Sequence, residues 1–169
     1  MYKLINKSMK FSTSKEFINK LNNLFNGLIA LPLLAVGFGY LEIKSGSWEA
    51  LMPLDNAILF STNIGLGLLM VYLSLRFKKE SRGLTVYDNI QDKMDGYYRL
   101  ASFYYWSVFG LSVMSAVLLY LFAHPSYAVL YAFILFWMSI FRPTLKNIAD
   151  LFGLQDEEKM KFMNKEPLN

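Results

Sequence analysis

AILFSTNIGLGLLMVYLSL, residues 57–75, runs for nineteen residues without a charge. A helix rises about 1.5 Å per residue, so a run of about 20 spans the roughly 30 Å hydrocarbon core of a bilayer. Three more runs in the chain read the same way: residues 24–41, 100–123 and 127–141. The last has 15 residues, or 17 counting Pro125 and Ser126. Its aromatic residues Tyr127, Tyr131, Phe136, Trp137 and Phe141 supply the headgroup anchoring that a short span needs. One soluble core helix can read this way, but four in a chain of 169 residues do not. The predicted fold is therefore all-α: a polytopic membrane protein with four transmembrane helices at 24–41, 57–77, 100–123 and 125–141.

A secretory signal peptide is the competing reading of the start of the chain. It needs an apolar region of about 7–15 residues, closely preceded by basic residues and followed by a small-residue cleavage site. Here the first apolar run begins only at Leu24, is 18 residues long and is followed by three more. It is read as a retained span. The chain has no Cys, which removes disulfides, thiolate chemistry and thiolate metal sites.

The Lys and Arg residues fix the expected orientation. Five lie in the leading segment (Lys3, Lys7, Lys10, Lys15, Lys20) and six between the second and third runs (Arg76, Lys78, Lys79, Arg82, Lys93, Arg99). Five more lie after the fourth run (Arg142, Lys146, Lys159, Lys161, Lys165), and Lys44 alone lies elsewhere. Positive residues stay on the cytoplasmic side. Both termini and the middle connection are therefore expected there, with the loops at 42–56 and 123–126 opposite. The net charge of +4 is thus the bias of a membrane protein attracted to anionic headgroups, and no nucleic-acid partner is expected.

The two halves of the chain align. At an offset of 73, Phe17, Lys20, Leu21, Leu24 and Phe25 fall on Ile90, Lys93, Met94, Tyr97 and Tyr98, and Gly37 falls on Gly110; at an offset of 66, Arg76 falls on Arg142. This pattern predicts two tandem hairpins in a parallel repeat. Amphipathic helices flank them on the cytoplasmic face: a leading helix within 1–23, a connection at 78–99 and a tail at 142–169. Thr13 and Glu16 have capping-box spacing ahead of a stripe of Phe17, Ile18, Leu21, Leu24 and Phe25. That stripe is expected either to lie on the bilayer or to run straight into the first span. In the tail, Pro143 suits a first helical position, Leu145, Ile148, Leu151 and Phe152 form a stripe, and Gly153 is a helix stop.

Polar and small residues within the runs are read first as packing devices. Ser61 and Gly65 stack on one helix face, with Gly67 close by; Ala35 and Gly39 repeat the pattern in the first span, as do Ser112 and Ala116 in the third. Such faces let helix backbones approach in lipid. Serine and threonine can bond their own helix at the carbonyl four residues back, whereas Asn63 is expected to reach a neighbouring helix. Asn26 lies close enough to headgroups to be solvated. Pro32, near the middle of the first span, frees a carbonyl and is a hinge candidate.

No Asp, Glu, Lys or Arg falls in the middle of a run, and buried ionisable residues mark ion paths and proton relays. The tandem hairpins resemble the proteolipid family of rotary ATPases, yet the chain lacks that family's mid-membrane carboxylate, so ion translocation through it alone is not expected. The only histidine, His124, precedes Pro125 in a turn and is read as a hydrogen-bonded turn residue. No phosphate loop, Ser–His–acid set or paired catalytic carboxylate is present; no catalytic, cofactor or metal residue is assigned. The tail FRPTLKNI, 141–148, resembles small four-span bacterial membrane proteins in which R-P-T follows the last span and leads into an amphipathic cytoplasmic helix. The resemblance covers the last third of the chain and implies fold, topology and the bacterial inner membrane, but no activity. The expected role is a small structural or accessory subunit of a larger membrane complex. The alternative is a small homo-oligomeric transporter or channel for an uncharged solute, with Pro32 and the Gly65/Gly67 segment as moving parts.

Overall fold

The computed structural model describes residues 11–164, and their regular structure is helical throughout. Helix α1 covers Ser14–Ser45 and α2 Asn56–Arg82, followed by a 3-10 turn at Gly83–Val86; α3 covers Ile90–Phe122, α4 Ser126–Ile140, α5 Leu145–Leu151 and α6 Asp156–Met163. Of the residues in the charge count, Lys3, Lys7, Lys10 and Lys165 lie outside the described range.

Three helices, α1, α2 (with its 3-10 turn) and α3, are long and apolar enough to cross a membrane; a fourth crossing arises only if α4 and α5 are counted together across the break between them. The 15 residues of α4 reach only about 22 Å at 1.5 Å each, short of the roughly 30 Å needed. The helix ends where it does because Arg142 precedes Pro143, whose ring disfavours helical backbone in the residue before it. Pro143 is not the first residue of α5, as the sequence led us to expect. It sits one residue before the N-cap Thr144, whose hydroxyl accepts the Asn147 N–H at 3.3 Å.

The start of α1 follows its sequence signal. Thr13 Oγ1 accepts the Glu16 N–H at 3.2 Å, while Glu16 Oε2 accepts the Ser12 N–H at 3.0 Å. One orphan donor of the first turn is thereby met, and the chain just ahead of the N-cap is tied back to the helix. The ends of α1 and α5 each turn on a glycine in the left-handed region, Gly46 (φ 75°) and Gly153 (φ 69°). After each, two N–H groups reach back to helix carbonyls: Gly46 to Ile43 and Ser47 to Glu42, Gly153 to Asp150 and Leu154 to Ala149. The end of α3 has no glycine, and Ala123 takes φ 47°. A left-handed alanine is strained by about 1–2 kcal/mol, partly offset by the entropy glycine loses on folding. Ala123→Gly is expected to stabilise the protein by about 0.5–1 kcal/mol in detergent-micelle unfolding.

The described residues divide into two compact units, 24–76 with 103–142, and 11–23 with 77–102 and 143–164. By residue range, α1, α2 and α3 contribute to both. In the first unit α3 is the central element: 39% of its apolar window is buried, against 22% for α1 and 11% for α2. Tyr104, Tyr105, Leu119, Tyr127 and Ile134 are fully enclosed there. The outward faces are as apolar as the core, with Leu34, Phe38, Phe60, Leu68, Val129 and Phe136 all exposed.

The second unit is built differently. Phe17, Leu21, Met94, Tyr97, Ile148, Phe152 and Phe162 are all buried within it. Tyr97 lies at the centre, with ring centroids of Phe17, Phe77 and Phe152 at 6.1, 5.8 and 6.0 Å. The Gln91 amide clips the Phe11 backbone from both sides, accepting its N–H at 3.2 Å and donating to its carbonyl at 2.8 Å. Ser14 donates to the Phe162 carbonyl at 2.6 Å and Lys93 to that of Phe152 at 2.9 Å. Lys159, 2.6 Å from Asp150, holds that carboxyl below its ordinary range. The apolar stripes of the leading helix, the connection and the tail thus form a protein core together; α1 itself continues unbroken from Ser14 to Ser45.

Candidate functional site

Pro32, buried in the middle of α1, is bracketed by two tyrosines. As proline it has no N–H to give the carbonyl four residues back, and its ring crowds that turn. Three residues before it, the Ile29 carbonyl accepts the Tyr131 hydroxyl of α4 at 3.3 Å. Three residues after it, the Ala35 carbonyl accepts the Tyr120 hydroxyl of α3 at 3.2 Å. The hinge candidate is therefore pinned to two neighbouring helices. Ala35 and Gly39 form the seat for this contact: a Cβ on Gly39 would lie 2.7 Å from the Tyr120 ring.

The α1–α2 connection closes the end of α3. The last carbonyls of a helix have no partner within it. Here Trp48 Nε1 donates to the Tyr120 carbonyl at 2.9 Å, and the Leu51 and Met52 N–H groups donate to that of Leu121 at 3.0 and 3.1 Å. The Trp48 and Tyr120 rings meet edge to face at 5.4 Å. Between α1 and α3, below this cap, lies an apolar cavity of about 390 Å3.

A second node links α2, α3 and α4. The fully buried Ser74 Oγ donates to the Met70 carbonyl at 2.9 Å, lies 3.0 Å from the Tyr104 hydroxyl, and accepts the Trp137 indole N–H at 2.9 Å. One hydroxyl thus serves its own helix and two others. Ser74→Ala removes the acceptor shared by Tyr104 and Trp137. The expected cost is about 1–3 kcal/mol, because buried donors that lose an acceptor forfeit most of their desolvation compensation. Tyr104→Phe, which removes one donor and leaves the acceptor in place, is expected to cost less in the same micelle unfolding titration.

Asn63 departs from expectation in one respect. Its Nδ2 donates to the Leu59 carbonyl of its own helix at 2.8 Å, as a serine would, and also reaches Ser126 Oγ at 3.4 Å. Ser126 is in turn 2.9 Å from His124 Nδ1, which accepts the Ser126 backbone N–H at 3.3 Å. His124 thus braces the first turn of α4. Beside it, the Thr62 and Tyr127 hydroxyls lie 2.9 Å apart, and Ser115 donates to the Tyr127 carbonyl at 2.7 Å.

Among the described residues, no side chain or helix is packed against the other small candidates on α2 at the positions a Cβ would take. Ser61 and Gly65 are exposed, and a Cβ on Gly65 or Gly67 meets nothing within 4 Å. Asn26 is exposed as well. Among the described residues no group of three or more His, Asp and Glu side chains is placed to hold a metal ion. What the sites have in common is hydroxyl and indole groups joining helices.

The architecture defines a class: a helical protein, three or four of whose helices are apolar enough to span a membrane. No protein-family model, curated protein or solved structure matches the chain.

Proposed function

We propose that the chain is a small structural or accessory subunit of a larger membrane complex, without catalysis of its own. Its spans at 24–41, 57–77, 100–123 and 125–141 form two tandem hairpins in the bacterial inner membrane, with both termini cytoplasmic. Its partners are the lipid bilayer and other membrane subunits, not nucleic acid. The observation that carries this reading is the face of α2 where Ser61 and Gly65 are exposed and open, on the helix with the smallest buried share. Small residues on an open face let a second transmembrane helix approach backbone to backbone, gaining dispersion contacts that lipid does not supply.

The tyrosines that pin α1 on both sides of Pro32 favour this reading over a homo-oligomeric transporter in which Pro32 moves. The test is gentle extraction of the tagged protein and mass spectrometry of what accompanies it. A stoichiometric membrane partner is expected with the wild type, and its recovery should fall steeply with Gly65→Leu. A clean homo-oligomer, or a partner indifferent to Gly65→Leu, would contradict the assignment of that face.

A further inference from the structure

The cavity between α1 and α3 has a shape and depth that single out one kind of occupant. Its floor is Pro32, Ala35 and Ala116, small or ring-closed side chains that leave room between two helices elsewhere in contact. Along α3 it runs from Val113 to Leu121, roughly 12 Å at about 1.5 Å per residue. The groove's volume is about 390 Å3. A helix about 10 Å across fills roughly 900 Å3 over the same length, so neither a second copy's helix nor a partner's fits inside.

The walls select the chemistry. The lining is almost wholly apolar, and the polar groups at its Leu121 end are already committed: the Tyr120 hydroxyl to the Ala35 carbonyl, the Tyr120 carbonyl to Trp48, and the Leu121 carbonyl to the Leu51 and Met52 N–H groups. A polar solute would lose its hydration there and find no partner in exchange. The rim is continuous with the apolar outward surface of the bundle, since Leu31, Leu51 and Val117 are 64%, 65% and 46% exposed. The groove stops at Leu121, beside the end of α3 at Phe122, and its length is close to the roughly 15 Å of one leaflet's hydrocarbon.

We propose that this groove is a binding site for one acyl chain of a membrane phospholipid, held along α3 from mid-bilayer to the interface. The proposal rests on the bundle lying in a bilayer, which carbonate washing of membranes tests separately. The occupied groove keeps Pro32 and Ala116 in van der Waals contact on their open side, so the lipid acts as part of the packing between α1 and α3.

The experiment is native mass spectrometry of the full chain released from detergent micelles after extensive washing. The wild type is expected to retain one phospholipid per chain. Val117→Phe, which fills the groove from its rim, and Ala116→Phe, which fills it from the floor, are expected to lose that adduct. Val129→Phe, an exposed α4 position outside the groove, is expected to retain it. If Ala116→Phe does not fold, Val117→Phe alone decides. A wild-type chain that resists carbonate extraction yet carries no phospholipid overturns the proposal and leaves the membrane reading intact. Equal retention by the wild type and a folded groove-filled variant overturns it too.

Discussion

Tyr97→Ala is expected to destabilise the unit formed by residues 11–23, 77–102 and 143–164 by about 3–5 kcal/mol, the range for deleting a buried aromatic ring. The ring is 6% exposed and meets Phe17, Phe77 and Phe152 edge to face. Removing it leaves a cavity where α1, α2, α3 and the segment after α5 converge. Whole domains are stable by only about 5–15 kcal/mol, so amide protection in α5 and α6 should fall by about a hundredfold or more in hydrogen exchange. Tyr87→Ala, on a side chain 51% exposed, should leave that protection nearly unchanged. Equal, small effects from both would mean that the unit has no common core.

Two glycines of α1 set up the second large effect. Gly39→Leu would drive a side chain into the Tyr120 ring, 2.7 Å from where its Cβ must sit. That ring is held by its own hydroxyl on the Ala35 carbonyl and by the edge of Trp48. It can give way only by breaking both contacts. Overpacking costs about 1–3 kcal/mol, and the lost hydroxyl bond about 0.5–1.5 kcal/mol more. Gly37→Leu, two residues earlier on the same helix, meets open space and replaces glycine with a better helix former, worth about 1 kcal/mol. Unfolding in mixed micelles should therefore move in opposite directions for the two variants. Parallel destabilisation would show that Tyr120 is not seated on Gly39.

The parts of the fold that depend on neighbouring residues were legible in the sequence. Apolar runs of about 20 residues mark α1, α2 and α3, the Thr13/Glu16 spacing marks the first turn of α1, and Gly153 marks the end of α5. Packing over long sequence distances was not. The stripe through Phe17 could lie on the bilayer or run straight into the first span, and the connection and tail read only as amphipathic cytoplasmic helices, because a 3.6-residue period is the same whether lipid or protein covers it. Only the fold shows that they cover one another.

The candidate sites divide along the same line. Ala35 and Gly39 do receive a neighbour, but the residue they receive, Tyr120, gave no local signal. Ser61 and Gly65 have the same spacing, yet among the described residues nothing lies within 4 Å of where a Cβ on Gly65 would sit. Ser74 gave no local signal, and its role as shared acceptor depends on Tyr104 and Trp137, 30 and 63 residues away. One general signal was available. Tyrosine and tryptophan buried in apolar spans usually find a hydrogen-bond partner, so Tyr104, Tyr120, Tyr131 and Trp137 pointed to contacts whose other ends sequence cannot name.

The central claim is that the apolar outward face of the bundle meets hydrocarbon while the other unit meets water. Because the chain has no cysteine, single-cysteine variants report one position each without background. Val86→Cys and Leu68→Cys occupy positions 82% and 66% exposed. In opened membrane vesicles, a water-soluble maleimide should label the first rapidly and leave the second unlabelled until detergent and denaturant are added. Rapid labelling of both in intact bilayers would show that the bundle faces water and contradict the account.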